Sequence, residues 1–198
     1  MKLGKALLVV AFLALGAGSA FAQSIGVFAD PAGLDCDGTF TAGMPGTLYV
    51  IARSGPQAPD GLTTVEFYVR GFPGSWFAIP TYNPASNVNL GDMFKPSPGP
   101  VERFNQAYPT CQPWVNGMIT IATVTVFPQT VVPETYLTVE VANPPSNAAY
   151  TRPVMILCDP PVYTAVMVNG GQFIMNGRPC TVGVEDKTWS QVKGLFSN

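Results

Sequence analysis

The chain has 198 residues, with 10 Lys+Arg, 12 Asp+Glu and no histidine. Without a basic run it is excluded from binding driven by nucleic-acid phosphates, and without imidazole from Ser-His-Asp or Cys-His catalysis and from histidine metal sites. Its 20 glycines and 20 prolines, among abundant valine and threonine, favour short strands joined by turns over helices.

Lys2 and Lys5 precede an apolar run, Ala6 to Leu15, and Ala20-Phe21-Ala22 fits the small-residue cleavage rule of an export signal. The run is too short to span about 30 Å of hydrocarbon, so a leader at 1–22 is expected rather than an anchor. No later segment is long and apolar enough to cross a bilayer as a helix. Loss of the leader takes the net charge from −2 to about −4. The expected product is secreted or held at the cell surface, with a domain over 23–180 and a tail over 181–198.

Ser24 to Ala29 reads as a first strand, closed by the turn residues Asp30-Pro31-Ala32-Gly33. Gly46 to Arg53 is a second, followed by a proline- and glycine-containing loop, Ser54 to Gly61. Thr63 to Phe72 alternates, with Val65, Phe67 and Val69 inward and Glu66, Tyr68 and Arg70 outward. These two strands form a β-arch or a hairpin with a long connection. From Pro80 to Pro113 seven prolines interrupt the pattern, leaving only Val88 to Phe94 and Val101 to Tyr108 as short edge strands.

Gly117 to Phe127 is the longest strand-like stretch. Both of its alternating sets are apolar or threonine, which predicts a central strand covered on both faces. Tyr136 to Val141, Val154 to Cys158 and Val162 to Val168 follow. Asn169-Gly170-Gly171 then has the composition of a hairpin turn into Gln172 to Met175, and Asn176-Gly177 that of a second turn. Thr188 to Gln191 matches a capping box, and Trp189, Val192 and Phe196 recur at helical spacing, so the chain ends in a short amphipathic helix. The fold expected is an all-β antiparallel β-sandwich with immunoglobulin-like or cohesin-like layering and that C-terminal helix.

Cys36, Cys111, Cys158 and Cys180 are an even set in an exported chain, which points to two disulfides rather than a zinc site. Three connectivities are open; Cys36 with Cys180 and Cys111 with Cys158 are preferred here.

Candidate chemistry is sparse. Asp30, Asp35 and Asp37 cluster in a turn-rich segment and are candidate Ca²⁺ ligands, without EF-hand spacing; shaping turns is their other role. No other cofactor is implied. Ser190-Gln191-Val192-Lys193 matches S-x-x-K but lacks the S-D-N and K-T-G partners of a serine β-lactamase. Glu66 and Glu140 stand on expected solvent faces and make a poor hydrolase pair. Trp76, Tyr82, Tyr108 and Trp114, in or beside the irregular region, either stack on sugar rings or anchor a protein, or else cover the sandwich edge.

Several phrases, IGVFADPAGLDC, GLTTVEFYVRGFP, FNQAYPTCQ, LCDPPVYT and PCTVGVEDKTWSQVKGLF, resemble a group of small, uncharacterised exported proteins of uncultured bacteria. That group shares this cysteine layout and a Thr-Trp-x-x-Val-Lys-x-Leu-type tail. The resemblance spans most of the chain after the leader. It implies an exported β-rich domain and no catalytic residues. The function expected is therefore a non-catalytic exported module that binds or builds at the cell surface, with a polysaccharide or cell-surface protein as partner. The rival is a secreted, carboxylate-dependent hydrolase acting on polysaccharide.

Overall fold

A computed structural model describes residues 23–55, 60–94, 101–158 and 163–179. The expected leader, the terminal helix and Cys180 lie outside the described residues. Among them no helix is present, and none is long and apolar enough to cross a membrane.

The strands in chain order are β1 (Ser24–Phe28), β2 (Asp37–Gly38), β3 (Gly46–Arg53), β4 (Gly61–Arg70), β5 (Phe77–Tyr82), β6 (Val88–Gly91) and β7 (Phe104–Pro113). They continue with β8 (Met118–Phe127), β9 (Thr135–Glu140), β10 (Val154–Leu157), β11 (Thr164–Met167), β12 (Asn169–Gly170) and β13 (Gln172–Met175). One five-stranded sheet runs β12-β1-β3-β8-β5. A second sheet of eight strands runs β11-β10-β4-β9-β13-β2, with β7 also on β4 and β6 on β7. The protein is a β-sandwich: inner-face residues Leu48, Val50, Val124 and Val126 of the first sheet share one buried core with Val65, Phe67, Phe104, Leu137 and Phe173 of the second.

β3 and β4 belong to different sheets, so their long connection makes an arch rather than a hairpin. β4 rather than β8 is covered on both faces. Glu66 and Tyr68, expected outward, are 6% and 2% exposed. The chain around Ser146 reaches Glu66, its amide donating to Glu66 Oε1 at 2.9 Å. Only Arg70 emerges, to pair with Glu140 at 2.7 Å and Glu102 at 3.3 Å.

β8 has one wet face, because a bulge shifts its alternation. Val50 pairs with Ala122 but Ile51 with Thr120, so Ile121 is the extra residue. Ile119 and Ile121 point inward before the bulge, and Ala122, Val124 and Val126 after it, while the threonines stay half-buried outside. Both parity sets thus look apolar in a strand with a single buried side. The bulge carbonyl of Ile121 accepts the amide of Asn83 at 3.0 Å and Nε2 of the fully buried Gln106 at 3.2 Å. Gln106 also donates to Asn89 at 2.8 Å and accepts from the Tyr108 hydroxyl at 2.6 Å, so this buried amide has partners on both sides.

The proline-rich region holds more structure than its composition suggests. β6 is an edge strand as expected, but β7 is ten residues long and sits between β6 and β4. The Asn169-Gly170-Gly171 segment is not a hairpin turn. β11 pairs with β10 whereas β13 pairs with β9, and Asn169 and Gly170 cross to the other sheet to run parallel to β1. Gly170 is required there, since a β-carbon would stand 1.8 Å from the Val139 carbonyl oxygen.

Candidate binding face

The five-stranded sheet presents its outer face through β5, β8 and β3. Antiparallel register sets Phe77 beside Phe127, Ile79 beside Thr125 and Thr47, and Thr81 beside Thr123 and Tyr49. Phe77 is 65% exposed and Ile79 57%. Thr47 and Thr81 are exposed, and the other side chains of the set are half-buried. None of these residues is charged, which is unusual for an open sheet face, where alternation normally places ionic side chains outward.

β5 is the edge of this sheet. Asn83 extends its ladder by donating to Ile121 O at 3.0 Å. Pro80 sits in the middle of the strand and has no amide to offer a further strand, so β5 is poorly suited to edge-on pairing. What it offers is its face.

The aromatics singled out by sequence lie elsewhere. Trp76 is 3% exposed; its indole donates to Thr130 O at 2.9 Å and its ring packs edge-on to Phe40 at 5.4 Å and Phe72 at 6.2 Å. Tyr108 is buried, and that burial pushes its phenol well above the ordinary value. Tyr82 stacks on Phe104 at 5.3 Å, its phenol raised first by burial and then by the charge of Asp92. Trp114 packs half-buried against the core. The structure distributes these four through the core and its margins rather than on one open platform. Phe77, next to Trp76, is the more exposed ring; Tyr136 and Tyr163 are exposed elsewhere. Strand β5 is not among the expected strands, because Pro80 interrupts its pattern.

Of the three candidate aspartates, Asp30 acts within a turn. Asp30 accepts the amides of Leu34 at 2.8 Å and Asp35 at 2.9 Å, and the Gly33 carbonyl above it receives the Arg53 guanidinium. Arg53 lies over the Phe28 ring at 4.8 Å, and burial lowers its pKa while Asp30 opposes that shift. Asp37 is drawn into β2, paired with Ile174. Among the described residues no three Asp, Glu, Cys or His side chains gather as a metal-holding group. Cys111 and Cys158 form a disulfide, and Cys36 is also disulfide-bonded; Cys180, its expected partner, lies outside the described residues.

This two-sheet arrangement is that of cohesin modules. A cohesin module of a family 33 glycoside hydrolase from Clostridium perfringens matches with a TM-score of 0.50 and 8% identity, over 79% of this chain and 98% of that module. The seventh ScaB type I cohesin of Pseudobacteroides cellulosolvens matches at 0.49 and 6% identity, over 81% and 96%. The sixth cohesin of Acetivibrio cellulolyticus scaffoldin B, solved with a dockerin, matches at 0.46 and 12% identity, over 79% and 99%. At such identities the likeness is one of fold. No family model and no curated relative matches the sequence.

Proposed function

We propose that the protein is an exported, non-catalytic binding module whose docking surface is the outer face of the five-stranded sheet. The observation that carries this reading is the exposure of Phe77 and Ile79 on a charge-free stretch of sheet. Apolar side chains held open on a rigid strand are anchors in search of a complementary surface. The leader pattern at 1–22 and the Cys111–Cys158 disulfide support export to an oxidising compartment.

The partner is a protein with an uncharged, apolar patch. Phenylalanine and isoleucine lack the polar handle with which tyrosine and tryptophan combine stacking and hydrogen bonding, so a sugar surface fits this face less well. The hydrolase alternative is disfavoured by how the carboxylates are used: Glu66 is buried on the Ser146 amide, and Glu140 and Glu102 are tied to Arg70.

The test is binding of the purified, oxidised chain to envelope and matrix fractions of the producing cells, before and after protease treatment. Binding lost on proteolysis, and lost again with Phe77→Ser and Ile79→Ser together, is the expected result. Binding that survives protease but is removed by glycosidases overturns the choice of partner. Equal binding by the double variant overturns the choice of face.

A further inference from the structure

Among the described residues, five strands end the sheets: β12 and β5 in one, β11, β2 and β6 in the other. β2 and β12 have two residues each, too few to template a partner strand, and β5 carries Pro80. β6 and β11 differ from these. Each has four residues, VNLG and TAVM, with no proline and no charged side chain, the devices that guard a free edge. They close the two ends of a single antiparallel run, β6-β7-β4-β10-β11.

The side chains along these two edges match in chemistry and in face. Cross-strand register through the run places Leu90 at one end of a row that finishes in Met167, and Val88 at one end of a row that finishes in Ala165. All four therefore stand on the same side of the sheet. Leu90 is 60% exposed, Met167 41% and Val88 37%. At β11 the free backbone groups can be assigned as well. The Val168 amide donates to Pro153 O at 2.8 Å, so the amides of Val166 and Thr164 turn toward β10. Those of Ala165 and Met167 turn to the open edge.

The geometry points to head-to-tail association of this chain with a second copy of itself, β11 of one molecule pairing with β6 of the next. The join continues the sheet across the boundary and brings Ala165 and Met167 of one copy against Val88 and Leu90 of its neighbour, as apolar cross-strand pairs. The two edges are different surfaces, so the contact is heterologous and each added copy leaves one edge of each kind open.

Two substitutions block one edge each. Ala165→Pro removes an amide that faces outward and leaves the β10–β11 bonds in place; Leu90→Lys puts a charge on the β6 edge. Sedimentation of the purified, oxidised full chain should show an average mass that rises with concentration. Each variant alone should stay monomeric, with an unchanged thermal melt. Mixed in equal amounts, they should form a dimer and nothing larger, because one keeps β6 and the other keeps β11. Monomer at every concentration of the unmodified chain overturns the proposal, as does assembly of either well-folded variant in the unmodified manner. Dimers of Leu90→Lys alone would show instead a symmetric β11–β11 contact and overturn the head-to-tail arrangement.

Discussion

Gly61 and Cys111 occupy space that only one of them can fill: a β-carbon on Gly61 would stand 2.8 Å from the Cys111 sulfur and 1.9 Å from the Gln112 carbonyl oxygen. β4 lies between β7 and β10 here, and the Cys111–Cys158 bond reaches across it, with Cα atoms 5.8 Å apart. Strands two apart in a sheet are normally separated by nearly 10 Å. The bridge is possible because β7 loops out between Gln112 and Ala107, opposite Leu62 and Thr64, and because Gly61 leaves room beneath it. Gly61→Ala should therefore cost about 2–4 kcal/mol, since the clash is with backbone and sulfur rather than a movable side-chain tip. Urea unfolding of the oxidised protein measures it; a loss below about 1 kcal/mol would show that the crossing relaxes freely.

Removing the bridge itself has a separate size. With Cys111 and Cys158 separated by 47 positions in sequence, paired replacement by serine should lower stability by about 4 kcal/mol on a chain-entropy account. Equal midpoints for the oxidised protein and the serine pair would contradict it.

Trp76 and Phe77 are neighbours with opposite roles. Trp76→Ala empties a buried site packed by Phe40 and Phe72 and should cost about 3–5 kcal/mol. Phe77→Ala changes an exposed ring and should cost about 0.5 kcal/mol or less. Thermal or denaturant melts of the two variants decide; a larger loss at Phe77 would mean that its ring is covered.

Tyr108 sets an alkaline limit. Burial raises its phenol pKa above the ordinary 10.0, so the unfolded chain gives up this proton at a lower pH than the folded one. The stability this residue contributes is complete below about pH 10 and declines as pH climbs toward the folded value. Unfolding midpoints should drop above that pH, and Tyr108→Phe should flatten the drop while losing the bond to Gln106. An unchanged alkaline slope in the variant would assign the effect elsewhere.

Asp30 is a turn carboxylate. Its oxygens accept from Leu34 and Asp35, so Asp30→Ala should destabilise by about 1–2 kcal/mol. Added Ca²⁺ or a chelator should leave the melting temperature in place; a calcium-dependent rise that disappears in the variant would establish a metal site instead.

Much of the architecture is legible in the sequence because local signals and tertiary structure agree there. β1, β3, the second half of β4, β9, β10 and β13 follow from alternating valine, leucine and phenylalanine between turn residues, and such alternation is meaningful only for a sheet with a buried side. An all-β layered fold was within reach on those grounds; the Cys111–Cys158 pairing was one of three open connectivities, and the structure chose it. The candidate face was not. The expected strands leave out 77–82, where Pro80 reads as a break. Only the place of this stretch at a sheet edge, beside β8, turns the large side chains outward and tolerates the proline.

Tertiary structure alone decided which strands share a sheet and which faces are covered. β8 looks two-sided because a bulge at Ile121 swaps its parity, and a bulge is set by the partner strand, not by composition. β4 looks one-sided, yet the chain around Ser146 reaches Glu66 from 80 residues away. Asn169-Gly170 has hairpin chemistry but serves as a crossing between layers, since the strands on either side of it found different neighbours. Sequence by itself determined local conformation and the number of apolar sides a strand can offer. Long-range pairing, which carries no local signature, chose the side each strand shows to solvent.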